Sequence, residues 1–287
     1  MPSPARTLVP LLASLAAALI VPVAAPSAAA ADRNRDPEVI AHRGSSGVAP
    51  ENTLAAVRQA LRHRSDTVEN DVQRTKDGEL VIMHDTTLAR TTDVEQVFPD
   101  RAPWKVGDFT LAEIKKLDAG SWFGPEFAGE RVPTLAEWGA AVGNARMLLE
   151  PKAPELYPGI EKDLDRELNS VPALRKALKA GRIVVQSFNH AWLRDYKEIA
   201  PEVPVGLLYG SKPTAADIEA AATWAEQVNP ALGVIDQATV DLVHDQDLEI
   251  HVWTVNDGQG MRRARDWGVD GIITNYPQVL RDLLHRS

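Results

Sequence analysis

Two histidines, three carboxylates and two cationic side chains each stand at the end of a short apolar run. His42 and Arg43 follow "VIA", Glu69 and Asp71 lie in "VENDV", His84 follows "ELVIM", and Glu150 and Lys152 close "MLLEPK". Side chains two apart on an extended segment share a face, so Glu69 and Asp71 can hold one cation together. Three carboxylates in a chain with no cysteine describe a hard-cation site, for Ca²⁺ or Mg²⁺ rather than Zn²⁺. Beside such a site, imidazoles can move protons, and a guanidinium and an ammonium can hold a phosphate. Each residue taken singly has a plainer reading. E-x-D is common on exposed strands, His42 suits a structural hydrogen bond, and Glu150 with Lys152 suits a loop ion pair. Convergence is the argument, because charge left unpaired at several strand ends is costly without a ligand or ion.

The elements that must position these residues are short β-rich runs alternating with amphipathic stretches. Candidate strands are 39–43, 68–72, 147–152, 182–188, 203–209, 226–230, 248–255 and 269–275, and most precede helix-like segments such as "NTLAAVRQALRHR" and "HAWLRDYKEIA". About eight βα units predict an α/β fold, a closed TIM (β/α)8 barrel, with an open doubly wound sheet as the alternative. In a barrel the C-terminal strand ends form the active-site mouth, where these charges fall. Two places break the rhythm. "NDVQRTKDGELVIMHD" reads as a hairpin; with Asp77-Gly78 in the turn, Lys76 pairs with Glu79 and Asp71 lies opposite His84. From about 86 to 133 the chain is too long for an ordinary loop and reads as a small insertion at the same end of the barrel.

The opening residues carry Arg6, an apolar run from about Leu8 to Val23 interrupted by Pro22, and then small residues. Residues 1–31 therefore read as a secretory signal peptide rather than an anchor, leaving 32–287 as the mature barrel, secreted and without a stable membrane anchor. The whole chain has a net charge of −9, and losing residues 1–31 removes one positive charge, Arg6. An acidic balance of this size excludes a nucleic-acid surface and requires that any positive partners of a phosphate be local. The composition leaves the oligomeric state unknown.

The blocks "IAHRGSSGVAPENTLAA", "ENDVQRTKDGELVIMHDTTLARTTD", "GSWFGPEFAGERVPTL", "LLEPK", "VVQSFN", "VWTVND" and "GVDGIITNYP" closely resemble the glycerophosphodiester phosphodiesterase family, in family order from about Val39 to Pro277. The resemblance implies metal-dependent hydrolysis of small-molecule glycerophosphodiesters to sn-glycerol 3-phosphate and an alcohol. It implies His42 and His84 as the acid–base pair, Glu69, Asp71 and Glu150 as metal ligands, and Arg43 and Lys152 as phosphate contacts. Trp253 is similar to an aromatic that walls the pocket, a core tryptophan being nearly as good a reading. Ca²⁺ is the first choice, since an exported protein meets it at higher concentration, with Mg²⁺ open. The attacking oxygen is taken to be the substrate's own 2-hydroxyl, giving a cyclic phosphate, with His42 as first base and His84 as first acid; direct attack by water is the alternative.

Two departures from the family pattern stand out, Pro151 in place of isoleucine and Asn275 in place of aspartate. Neither is expected to touch a residue assigned to chemistry. Two other functions remain open, a secreted phospholipase acting on intact lipids and a binding protein without catalysis. For the former, Trp104, Trp122, Phe123 and Phe127 could form an apolar lip, though a small core within the insertion is the favoured reading.

Overall fold

The computed structural model describes residues 35–285 and, apart from them, only Met1. The expected signal peptide otherwise lies outside the described residues. Eight parallel strands form a closed barrel: β1 (Glu38–Ala41), β2 (Thr67–Arg74), β4 (Arg146–Pro151), β5 (Ile183–Ser187), β6 (Val205–Tyr209), β7 (Gln227–Pro230), β8 (Glu249–Val252) and β9 (Gly271–Thr274). Neighbours follow in that order, and β1 closes the ring by pairing with both β2 and β9. This is the expected TIM barrel, and all eight expected strands are present.

The strand residues alternate. Val39 and Ala41 face the helical layer, where they join the main hydrophobic cluster, while Ile40, Leu148, Val184 and Ile273 meet inside the barrel. That apolar plug closes the interior, so polar residues one step further along each strand are left at the mouth. A helix follows each barrel strand. The first, Leu54–Arg62, buries Ala55, Ala56, Val57 and Ala60 and is capped by the Thr53 side chain, which accepts from the N–H of Ala56. Among the described residues no helix is long and apolar enough to cross a membrane.

β3 (Leu80–Ile82) pairs antiparallel with the end of β2, as a hairpin was expected to. Its register differs from the expected one by a single residue. Arg74 lies opposite Leu80 and Thr75 donates its N–H to the carbonyl of Glu79, so the loop is Lys76-Asp77-Gly78 rather than Asp77-Gly78 alone. Gly78 takes the left-handed conformation (φ 91°) that ends a three-residue hairpin loop. Met83, not His84, consequently lies beside Asp71 and donates its N–H to the Asp71 carbonyl at 2.9 Å, and His84 begins the chain's departure from the sheet.

Residues 86–133 fold as short helical turns around a second hydrophobic cluster that includes Leu88, Val106, Phe109, Ile114 and Leu117. Trp104 packs against that cluster, whereas Phe127 packs on Ala49, Ala55 and Ala56 near the end of β1. Trp122 is exposed and meets Phe123 edge to face at 5.6 Å. The aromatic residues of the insertion are thus divided between its core and its surface.

Candidate active site

β2 and β4 lie side by side in a register that places Asp71 next to Glu150. Glu69, Asp71 and Glu150 all point into the barrel mouth, are buried, and can bring one oxygen each within 4.8 Å of one another. Glu69 Oε1 and Asp71 Oδ1 are buried without a hydrogen-bond partner. Buried carboxylate oxygens left in this state fit a divalent cation.

The second oxygens of Glu69 and Asp71 are held. Arg43 adopts a left-handed backbone (φ 54°) and donates its N–H to Glu69 Oε2 at 2.7 Å. Asn52, also left-handed (φ 60°), donates from Nδ2 to Asp71 Oδ2 at 2.8 Å. Strained backbone at two residues that orient the cluster is the kind of local cost found at functional sites. The turn also depends on Gly44. Its φ is 78°, and an added Cβ would lie 2.7 Å from the backbone and Cβ of Ala56. The constraint on this glycine is the close crossing of the first helix.

Two cations border the carboxylates. Arg43 Nε lies 3.2 Å from Asp71 Oδ2, and Lys152 Nζ lies 2.6 Å from Glu150 Oε1 and 3.7 Å from Asp71 Oδ1. Burial pushes Glu69 well above the usual carboxylate range, reinforced by the charges of Asp71 and Glu150. Burial and the charge of Asp71 likewise raise Glu150 to about 7. Asp71 goes the other way: burial works against ionisation, but Arg43, Lys152 and His84 together hold it below its ordinary value. Pro151 does not disturb this strand end. It keeps its place opposite Val72, and the N–H of Lys152 continues the pairing to the Val72 carbonyl at 2.9 Å.

The two histidines present alike but are supported differently. His42 Nδ1 lies 2.7 Å from Asn275 Oδ1, and His84 Nδ1 lies 2.6 Å from Asp85 Oδ1. With Nδ1–H donated in each case, Nε2 is the atom left for proton transfer. Burial, and then the Arg43 guanidinium, lower the His42 imidazole to about 4. Asn275 therefore touches a residue assigned to chemistry, which corrects the expectation for this departure. The reason is topological: β9 neighbours β1, so the residue after β9 lies against the residue after β1.

His84 is aimed by its surroundings. The buried amide of Gln73 lies within reach of the carbonyls of Met83, His84 and Asp85, while Gln73 Oε1 accepts from the Tyr157 hydroxyl at 2.7 Å. Gln73→Leu leaves these groups unpaired in a buried site, and a loss of about 2–3 kcal/mol is expected. A urea titration checks this, the midpoint falling while the slope stays constant.

Trp253 rests on the apolar plug, donates Nε1–H to the Asn229 carbonyl at 2.8 Å, and meets Phe188 edge to face at 5.4 Å. It belongs both to the core and to the wall of the mouth. Phe188 is half exposed, with Lys152 Nζ 5.7 Å from its ring centre. Sequence reasoning did not assign Phe188, Glu51, Asn52, Gln73, Asp85, Arg90 or the contact of Asn275, although all seven lie inside the blocks that carry the family resemblance.

The glycerophosphoryl diester phosphodiesterase family model matches residues 42–279, a span that contains every residue of this site. The chain belongs to that family. Among curated relatives, a glycerophosphodiester phosphodiesterase of Bacillus subtilis is 38% identical over 260 residues, covering 86% of this chain and 85% of the relative. One from Caldanaerobacter subterraneus is 40% identical over 252 residues, covering 87% and 98%. Among solved structures, an Oleispira antarctica phosphodiesterase in complex with the product sn-glycerol-3-phosphate superposes with a TM-score of 0.75 at 31% identity, covering 87% of this chain and 97% of that one. As a member of the glycerophosphoryl diester phosphodiesterase family, the chain is an enzyme, a phosphoric diester hydrolase.

Proposed function

We propose that this glycerophosphodiester phosphodiesterase uses His42 and His84 as its acid–base pair and depends on a divalent cation held by Glu69, Asp71 and Glu150. The observation that carries the reading is the set of buried carboxylate oxygens without partners, flanked by two histidines whose Nδ1 atoms are already engaged. A phosphodiester gathers charge on its non-bridging oxygens as it reacts, and a cation held by these three carboxylates would supply positive charge to offset it. Arg43 and Lys152 hold the phosphate.

His42 remains neutral at ordinary pH, because burial and Arg43 oppose its protonation. A neutral imidazole is a base. In the proposed first step His42 Nε2 takes the proton of the substrate's 2-hydroxyl, whose oxygen attacks phosphorus, and the bond from phosphorus to the alcohol oxygen breaks. His84 Nε2, its ring supported by the Asp85 carboxylate, gives that alkoxide a proton. In the second step His84 takes a proton from water, which opens the cyclic phosphate, and His42 returns its proton to the 2-oxygen. Solvent ¹⁸O must then appear in the product phosphate, and analogues lacking the 2-hydroxyl must not be cleaved at the normal rate.

Release of sn-glycerol 3-phosphate from glycerophosphocholine and glycerophosphoethanolamine tests the function, first after chelation and then with Ca²⁺ or Mg²⁺ restored. Ca²⁺ is the proposed cation. Cleavage of phosphatidylcholine vesicles, but not of these soluble substrates, would favour the phospholipase reading instead. We also propose that residues 1–31 are removed on export and that the enzyme acts outside the cell; N-terminal sequencing of protein from the culture medium tests this.

Cation binding and pH are linked with a definite sign. An unfolded glutamate ionises near 4.5, whereas Glu150 in the fold does so near 7 and Glu69 is raised in the same direction. In chelated protein the neutral carboxyls therefore favour the fold below about pH 4.5, and that contribution is lost as pH rises through about 7. A cation offsets the loss only where the carboxylates are ionised. The rise in Tm on adding Ca²⁺ is accordingly expected to be larger at pH 8 than at pH 5, measured by thermal scans with chelator and with calcium.

A further inference from the structure

A chain of charge contacts joins the two halves of the site through Arg90, a residue on the opening turn of the insertion. Its Nε and Nη2 donate to both oxygens of Asp85 at 2.6 and 3.0 Å. Its Nη1 and Nη2 donate to both oxygens of Glu51 at 2.9 and 2.7 Å. Asp85 Oδ1 in turn lies 2.6 Å from His84 Nδ1, while Glu51 Oε1 accepts from Arg43 Nη1 at 2.9 Å. A planar guanidinium that engages two carboxylates at two points each fixes their orientation as well as their distance.

We propose that Arg90 is a positioning residue for His84: it holds Asp85 in the place from which that carboxylate aims the imidazole at the leaving oxygen. The inference rests on the reading of His84 as the acid that protonates the departing alcohol. Two observations separate positioning from simple stabilisation. The Arg90 side chain is 44% exposed, and ion pairs so open to solvent contribute little to stability. The turn that carries it, by contrast, is fixed from beneath. Thr92 Oγ1 donates to the carbonyl of the fully buried Leu88, and Thr91 Oγ1 donates to Met83 Sδ, so the turn that carries the guanidinium is anchored to the hairpin that carries His84. A carboxylate on the Nδ1–H of a histidine fixes tautomer and ring orientation. Arg90 does the same for the carboxylate.

The test compares two soluble substrates with different leaving groups. Glycerophosphocholine releases an alkyl alcohol that needs a proton; glycerophospho-p-nitrophenol releases a phenolate that does not. Arg90→Met is expected to lower kcat on the first by about 10- to 100-fold, through misplacement of the acid, and on the second by less than about threefold. KM is expected to stay within about threefold for both. In the double variant with Asp85→Asn, the loss on glycerophosphocholine should not exceed that of the more damaging single variant. Thermal scans establish that each variant is folded, and Arg90→Gln replaces Arg90→Met if the latter is not. Equal losses on both substrates, a loss carried by KM, or additive losses in the double variant would overturn the proposal. His84→Ala, run beside them, isolates the underlying reading: if it cleaves glycerophosphocholine normally, the assignment of His84 fails irrespective of Arg90.

Discussion

His42→Ala is expected to lower turnover of glycerophosphocholine by roughly 10³-fold at neutral pH, the scale on which positioned acid–base groups act. Little of that loss should be structural. His42 reaches the mouth at the end of β1, its backbone N–H is held by the Thr274 carbonyl at 2.9 Å, and that bond survives the substitution. The protein's own pH profile gives an independent check. Because the imidazole is lowered to about 4, its base form persists well below the range of an ordinary histidine. With the cation kept saturating, the acid limb of kcat/KM should lie far below 6.5. Asn275→Asp places a carboxylate on Nδ1–H, favours the protonated ring, and should move that limb upward. A limb near 6.5 in the parent enzyme, unmoved by Asn275→Asp, would exclude His42 as the base.

Glu69→Gln is expected to abolish cation-dependent activity, by about 10³-fold or more, and yet to raise the Tm of the chelated protein. The two effects have one cause. Glu69 is fully buried beside Asp71 and Glu150, and burial together with those charges resists its ionisation. A neutral amide of the same shape needs no proton to stay uncharged and still accepts the Arg43 N–H, but it offers a cation one charge fewer. Calcium titration followed by thermal scans distinguishes this from simple damage. The variant should lose the calcium-induced rise in Tm while starting from a higher baseline without metal. A fall in both activity and chelated Tm would mean that Glu69 is ionised and satisfied within the protein alone, contrary to its unpartnered Oε1. Function placed against stability in this way is common where a site must hold charge ready for a ligand.

Much of this was legible in the amino acids. Each barrel strand is a short apolar run between turn signals, and the apolar character comes from burial on both faces, so the eight strands could be read one by one. The charges at their ends were legible for the complementary reason: polar groups there have no place in a core. What escaped was set by contacts between distant segments. Asn275 stands 233 residues from His42, and Arg90 stands 39 from Glu51. Neither leaves a periodic trace. The hairpin register slipped by one because "KDG" suits a two-residue turn as well as a three-residue loop, and the choice lies in Thr75, whose side chain bonds Asp77 Oδ1 at 2.6 Å and whose Oγ1 accepts the Glu79 N–H at 3.0 Å. Gln73 was hidden for another reason. It reads as an ordinary polar position on a strand, and only the path of the chain after Met83 gives its amide three carbonyls to meet.

The first barrel strand and the last are neighbours, and the proposed base owes its tautomer to the side chain that follows the last strand. Without β9 and the residue that follows it, His42 Nδ1 has no Asn275 to meet. On the proposed mechanism, catalytic competence therefore depends on ring closure, a long-range contact, and not on local structure alone. An enzyme wired in this way is silent until it is whole.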